Sequence, residues 1–461
     1  MLTITLLVCL VGLGASAPAE DLITDLPGLG YNITFKHYSG YLTGDQGKQL
    51  HYWDLEKNPS SSSSTILPPS PSFDSMLVHV ISMHVKQRRH DVFFSRLCSD
   101  CIGSVLFLEA PACVGFSYDP KDDCNTGDDA TSLSNYLALI DFFQNKFPEY
   151  AKNPFFITGE SYAGVYVPTL AVRVLEGQAN FTINLQGYAI GNGLSSYKLN
   201  DDSIIFFGYF HGLFGEDLWE SLVHHCCTKG EPSPETCNFY DSYWPLCKKA
   251  TSKASDIIYN EGLNMYNLYA DCPGGSLGNG KFTRYEATLS NLLRNHPNHH
   301  NRMRKLKTRI NNLELDPPCT DSSNMRIYLN TPEVRTALHI PEHVGKWEIC
   351  NDQINFNYKR QYDSMEEQYK ILTSRVRGLV YNGDIDMACN FLGDEWFVES
   401  LGLKVTEGRR MWHQGGQVGG FVKRFKNLDL LTIRGAGHMV PQDKPGPALK
   451  MISSFIFQKD Y

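Results

Sequence analysis

Ser161 lies in Gly159-Glu160-Ser161-Tyr162-Ala163-Gly164, a G-x-S-x-small sequence that joins the apolar run Phe155-Phe156-Ile157-Thr158 to a helix-forming segment from Tyr162 to Leu175. A serine between a buried strand and a helix sits on a tight turn that presents its hydroxyl, and the helix N-terminus and the Tyr162 amide favour a developing oxyanion there. A hydroxyl is a poor nucleophile until a base takes its proton, so the chain must also supply a histidine and an acid to orient it. Two later loops offer them. Asn382-Gly383-Asp384-Ile385-Asp386 follows an apolar run ending at Tyr381, and Gly435-Ala436-Gly437-His438-Met439 follows one ending at Ile433. Either loop alone says little, because Asp-rich and Gly-rich turns end many strands. Together with Ser161 they give three strand-end loops in the order Ser, Asp, His, which makes Ser161, Asp386 and His438 the expected catalytic residues.

Three strand-end loops meet only if their strands lie side by side. Residues 34 to 56 alternate around the turn Thr43-Gly44-Asp45-Gln46-Gly47 and read as an opening antiparallel hairpin. Ser104 to Leu108 reads as a short strand, Ser132 to Phe147 as a helix, Gly378 to Tyr381 and Leu428 to Ile433 as strands, and Pro447 to Phe457 as a closing helix. Strand-helix alternation implies a mostly parallel sheet covered on both faces, so the expected fold class is α/β, an α/β-hydrolase core over 18–199 and 322–461. Between 200 and 321 cysteines crowd together and helical pieces are short, which reads as an inserted, disulfide-stapled cap domain. Pro59 to Ser72 is Ser/Pro-rich and Met76 to Arg96 has no clean period, so 59–101 is an atypical segment with no expected core strand. His296 to Arg309 is strongly basic and reads as an exposed loop open to nicking, the commoner outcome than an anion-binding patch for a run this short.

The 461 residues, 42% hydrophobic and 20% charged, suit a globular protein with a real core, and the net charge of -8 gives no basic field for nucleic acid. Leu2 to Gly14 is apolar and Ala15-Ser16-Ala17 is a small-x-small site, so 1–17 reads as a signal peptide, too short in its apolar run to span a bilayer. Thirteen cysteines, twelve of them beyond Cys9, fit an oxidising compartment, as do the sequons at Asn32 and Asn180. The expected location is the secretory pathway, extracellular or, as the family resemblance given below implies, lysosomal. Cys98-Ser99-Asp100-Cys101 is a single C-x-x-C, and His296, His299 and His300 lack ligand spacing on a helix, so no metal is expected.

The segments FITGESYAG, YNGDIDMACN and IRGAGHMVP resemble those of serine carboxypeptidases, and HHCC, NLYADC and DPPC resemble a lysosomal member of that family. The resemblance implies Ser161 as nucleophile, His438 as base, Asp386 as its orienting carboxylate, a structural Asp384, and the Tyr162 amide in the oxyanion hole. It implies that Glu160 binds the C-terminal carboxylate of a peptide, with Cys389 and Met439 also at the substrate site. Two carboxylates in contact must share a proton, which implies an acidic pH optimum. Cys389 reads equally well as a small buried hydrophobe. Implied too are disulfides Cys226 to Cys247, Cys227 to Cys237 and Cys272 to Cys319, no cofactor, peptide substrates, a homodimer, and lysosomal β-galactosidase and neuraminidase as partners.

The chain departs from the family in one place. A W-x-N-G-G-P-G-C-S-S segment, which supplies a second oxyanion amide and a partner for Cys350, has no counterpart in 59–101, and Cys113 stands where a glycine is expected. An altered reading frame or splice product is the favoured explanation, and loss of a central strand would lower stability. The expected function is a serine-type carboxypeptidase acting through an acyl-enzyme. The rivals are an impaired homologue with a protective or scaffolding role, and an esterase or acyltransferase on the same fold.

Overall fold

The computed structural model describes residues 17–28, 33, 35–56, 75–81, 102–272, 319–351, 354 and 357–461. Residues 1–16, Asn32, Cys98, Cys101 and the basic run 296–309 lie outside them.

Ten strands form one sheet in the order β1-β2-β4-β3-β5-β6-β7-β10-β9-β8. These are β1 His37–Thr43, β2 Gln49–Leu55, β3 Ser75–Ile81, β4 Gly103–Glu109, β5 Phe155–Ser161, β6 Leu185–Gly193, β7 Arg377–Gly383, β8 Val405–Gln414, β9 Gln417–Phe425 and β10 Leu428–Ile433. The six central strands from β4 to β10 pair in parallel, and antiparallel hairpins close both edges. Successive side chains on a strand point to opposite faces. Accordingly Phe155, Ile157, Tyr188, Ile190 and Val380 fill one buried cluster, while Phe156, Ala189, Leu379 and Tyr381 fill another. Helices α1 Asp128–Asp141 and α2 Ala163–Glu176 cover the first face. The closing helix Pro445–Ile456 covers the second, where Phe455 packs edge-on to Phe156 and Arg377 lies over both rings.

The expectation that 59–101 holds no core strand is corrected here. Ser75-Met76-Leu77-Val78-His79-Val80-Ile81 forms β3, parallel to both β4 and β5 in the middle of the sheet. Five of its seven residues are Met, Leu, Val or Ile, which suit a strand buried on both faces. The signal is hidden because the strand occupies only the start of the window from Met76 to Arg96.

Strand β6 was also unexpected, because its glycines argue against a strand. Gly191 makes room for an aromatic ring of β7, and Gly378 of β7 does the same in return. A Cβ on Gly191 would sit 2.4 Å from the Tyr381 ring, and one on Gly378 2.4 Å from the Tyr188 ring, so β6 and β7 each lay a tyrosine across the partner's glycine.

Helices α3 Tyr197–Phe210, α4 Glu216–Cys226 and α5 Pro245–Asn260 build their own hydrophobic cluster, which includes Phe206, Trp219, Leu222, Ala254 and Ile258. Disulfides Cys226–Cys247 and Cys227–Cys237 staple it, and Cys272–Cys319 ties residues farther along. A fourth disulfide, Cys113–Cys124, was not anticipated. Cys113 has φ 74, a left-handed conformation that explains why a glycine is expected there, and its bond to Cys124 holds the loop leading into α1. Among the described residues no helix is long and apolar enough to cross a membrane.

Candidate active site

Ser161 is the last residue of β5 and has φ 65, in the left-handed region that non-glycine residues rarely occupy. The register with β6 shifts between Glu160 and Ser161, which pair with Gly191 and Gly193, and the Ser161 carbonyl accepts from Leu194 N–H at 2.9 Å. Gly164 makes the turn feasible. A Cβ there would lie 2.5 Å from the Leu194 nitrogen, so only glycine lets the first turn of α2 approach the end of β6. Strain of this kind persists only where the surroundings over-determine it, and it marks functional turns.

Asp386 and His438, on the loops after β7 and β10, are brought together with both side chains fully buried. The His438 Nδ1 to Asp386 Oδ2 distance is 2.8 Å. Asp386 also accepts from Ala388 N–H at 2.9 Å, Cys389 N–H at 3.1 Å and Asn192 Nδ2 at 2.9 Å. Every one of these partners is nitrogen, which suits an ionised carboxylate that holds the ring with its Nδ1 proton toward the acid. Burial alone would depress the His438 pKa, but the Asp386 charge and hydrogen bond, then Glu160 and Asp443, raise it above the usual histidine value.

Glu160 precedes Ser161. Burial pushes its carboxyl up to about 7, His438 opposing and Asp386 and Asp443 adding to the rise. Glu160 and His438 thus feel each other's charge across the strand ends. Asp384 accepts Gly435 N–H at 2.6 Å and so ties the acid loop to the histidine loop. Cys389 is buried, and burial, then Asp386, pushes its thiol well above the usual range, which keeps it S–H. Met439 caps the short helix Val440–Asp443 and packs against the α3–α5 cluster. Asn180 is exposed at the turn after α2.

Four groups escaped the sequence reading. Asn192, fully buried at the end of β6 with φ 42, accepts Gly383 N–H at 3.0 Å while its Nδ2 reaches Asp386, so it holds the acid loop by both ends of its amide. Asn382 and Gly193 N–H donate to Asp394 at 2.8 and 3.2 Å. Tyr266, just past α5, accepts His438 N–H through its carbonyl at 2.7 Å and sets its ring 5.2 Å from the imidazole. Asp443 accepts Gly437 N–H at 2.7 Å. The clue to Asn192 is the Gly191-Asn192-Gly193 end of a strand that its glycines conceal.

Asp394 yields a stability prediction. Burial pushes its carboxyl from 3.8 up to about 7, against the hydrogen bonds it accepts. An acid with a raised folded pKa binds its proton more tightly in the native state. Its stabilisation is therefore complete below the unfolded value and lost as pH rises to about 7, on the order of 4 kcal/mol. Denaturant unfolding will show lower stability at pH 7.5 than at 4.5, and Asp394→Asn will shrink that difference. An undiminished difference in the variant would rule out Asp394 as its source.

The sheet order, the strained serine at the end of β5 and the buried histidine–carboxylate pair two and three strands away define an α/β-hydrolase. The model of the serine carboxypeptidase family matches residues 27–458. The lysosomal protective protein of Mus musculus is 44% identical over 97% of this chain and 95% of its own length. Serine carboxypeptidase ctsa-4.1 of Caenorhabditis elegans is 38% identical over 97% of this chain and 95% of its own. In structure, a prohormone-processing carboxypeptidase of Saccharomyces cerevisiae aligns with TM-score 0.66 at 18% identity, covering 96% of this chain and 97% of that one. The chain belongs to the serine carboxypeptidase family, and its activity class is that of a serine-type carboxypeptidase.

Proposed function

We propose that Ser161, His438 and Asp386 act as a catalytic triad that removes the C-terminal residue of peptides through an acyl-enzyme. The Ser161 proton passes to His438 Nε2 as Oγ bonds the carbonyl carbon of the last peptide bond. The Tyr162 N–H receives the oxyanion. The C–N bond then breaks, His438 protonates the departing amine, and the acyl group stays on Ser161. Water then bonds the acyl carbon as it gives a proton to His438, the Ser161 Oγ–acyl bond breaks, and His438 returns the proton to Oγ as the shortened peptide leaves. Glu160, protonated below about 7, hydrogen-bonds the substrate's free carboxylate.

The buried His438–Asp386 pair at 2.8 Å, beside the Glu160–Ser161 strand end, carries this reading. Four disulfides and a lysosomal relative support a site of action in an acidic compartment of the secretory route. A fluorophosphonate probe will label the chain at Ser161, found by peptide mapping, and the labelled protein will no longer cleave N-blocked dipeptides. Turnover of small esters without release of any C-terminal amino acid would point to an esterase instead.

A further inference from the structure

Asp128 opens α1 and is fully buried. Its Oδ1 accepts from the Tyr162 hydroxyl at 2.8 Å, and its Oδ2 accepts from Gln361 N–H at 2.6 Å. Its own N–H donates to the Lys359 carbonyl at 3.2 Å. The preceding Gly127 lies so close to that strand of chain that a Cβ would sit 2.6 Å from the same carbonyl. A buried carboxyl is costly unless it is well bonded, and a helix N-terminus favours negative charge there. Asp128 thus joins three segments: the start of α1, residues 359–361, and the residue that follows Ser161.

The Tyr162 ring is also held from its edges, with Tyr166 and Tyr358 at centroid distances of 5.0 and 5.9 Å. What this restraint protects is the peptide plane between Ser161 and Tyr162. Ser161 sits at φ 65, and relaxation toward ordinary backbone angles would rotate that plane and swing the Tyr162 N–H away. The Ser161 carbonyl is tied to Leu194 on one side of the turn. On the other side the Tyr162 carbonyl accepts from Val165 N–H at 2.9 Å and Tyr166 N–H at 3.3 Å as α2 begins, and the Tyr162 side chain adds a tie outside the helix.

We infer that Asp128 is a positioning residue: by anchoring the Tyr162 hydroxyl it keeps the Tyr162 N–H aimed at the oxyanion formed when Ser161 attacks. The inference rests on the triad reading above. It also assigns work to the loop stapled by Cys113–Cys124, which delivers Asp128 to this contact.

The test uses the full chain, Asp128→Asn, Tyr162→Phe and the double variant, assayed on an N-blocked dipeptide with active sites counted by fluorophosphonate titration. Asn at 128 can still accept one of the two hydrogen bonds but turns an NH₂ toward the other donor. Each single variant should lower kcat per active site about tenfold to a hundredfold with KM within about twofold, the size of effect a small misplacement of a catalytic group produces. The double variant should be no slower than the slower single, because both remove one interaction. Unchanged kcat in Tyr162→Phe, or effects that multiply in the double variant, would overturn the role of Asp128. Tyr162→Phe carries the test alone should Asp128→Asn fail to fold. Ser161→Ala is the separate control, since hydrolysis surviving in it would overturn the triad and not the tie between Asp128 and Tyr162.

Discussion

Asp386→Asn will lower kcat/KM for peptide hydrolysis about ten-thousandfold while leaving the chain folded. Asp386 accepts only from nitrogen donors: His438 Nδ1, Asn192 Nδ2 and the N–H groups of Ala388 and Cys389. An asparagine in either flip must point an NH₂ at some of them. With the NH₂ in the place of Oδ2, which His438, Asn192 and Cys389 share, the imidazole is the one partner there that can turn from donor to acceptor. It then turns its other tautomer toward residue 386 and carries its proton on Nε2, where it cannot accept from Ser161. Thermal unfolding within a few degrees of the parent, together with the rate loss, is the expected pair of results. A variant within about tenfold of the parent rate would show that Asp386 does not set the tautomer.

The second large effect is on pH dependence. Glu160 is protonated below about 7 and ionises above it. Once ionised it repels the free carboxylate of a peptide, so kcat/KM should fall as pH rises past that value, approaching about tenfold per pH unit. Peptides whose C-terminus is amidated lack the opposing charge and should escape this limb. Glu160→Gln keeps a donor at every pH and should remove the alkaline fall. Profiles of kcat/KM from pH 4 to 8.5 on free and amidated substrates decide the matter. An alkaline limb that survives Glu160→Gln would remove Glu160 from carboxylate recognition.

Much of this arrangement is legible in the residues. Short apolar runs ending in a Gly- or Asp-rich turn mark β5, β7 and β10, and those strand ends hold the serine, the acid and the histidine. Periodicity in the hairpin of β1 and β2 is equally plain, since register pairs His37 with Leu55 through Thr43 with Gln49. What stays hidden follows from local signals that tertiary contacts override. The glycines of β6 lower its intrinsic strand preference, yet neighbours fill the space they leave: Tyr381 of β7 at Gly191, Arg377 and Phe455 at Gly187, and Ile190 at Gly193. The edge strand β8 is polar and pairs irregularly with its neighbour β9, with several register shifts, so it lacks a two-residue alternation. The pairing of Cys113 with Cys124 depends on a left-handed residue that spacing cannot reveal. Among site residues, Asn192 and Asp394 are missed because their partners lie on other strands, far away in the chain.

The closing helix Pro445–Ile456 rests on the strand that bears Ser161, through Phe455 against Phe156, and His438 lies only a few residues before it. In the proposed triad the nucleophile is therefore synthesised on the ribosome long before its base, and before the helix that packs beneath its strand. A nascent chain emerging N-terminus first would lack the proposed triad until His438 and the helix after it are made and dock. Latency of this kind would follow from the connectivity of the sheet.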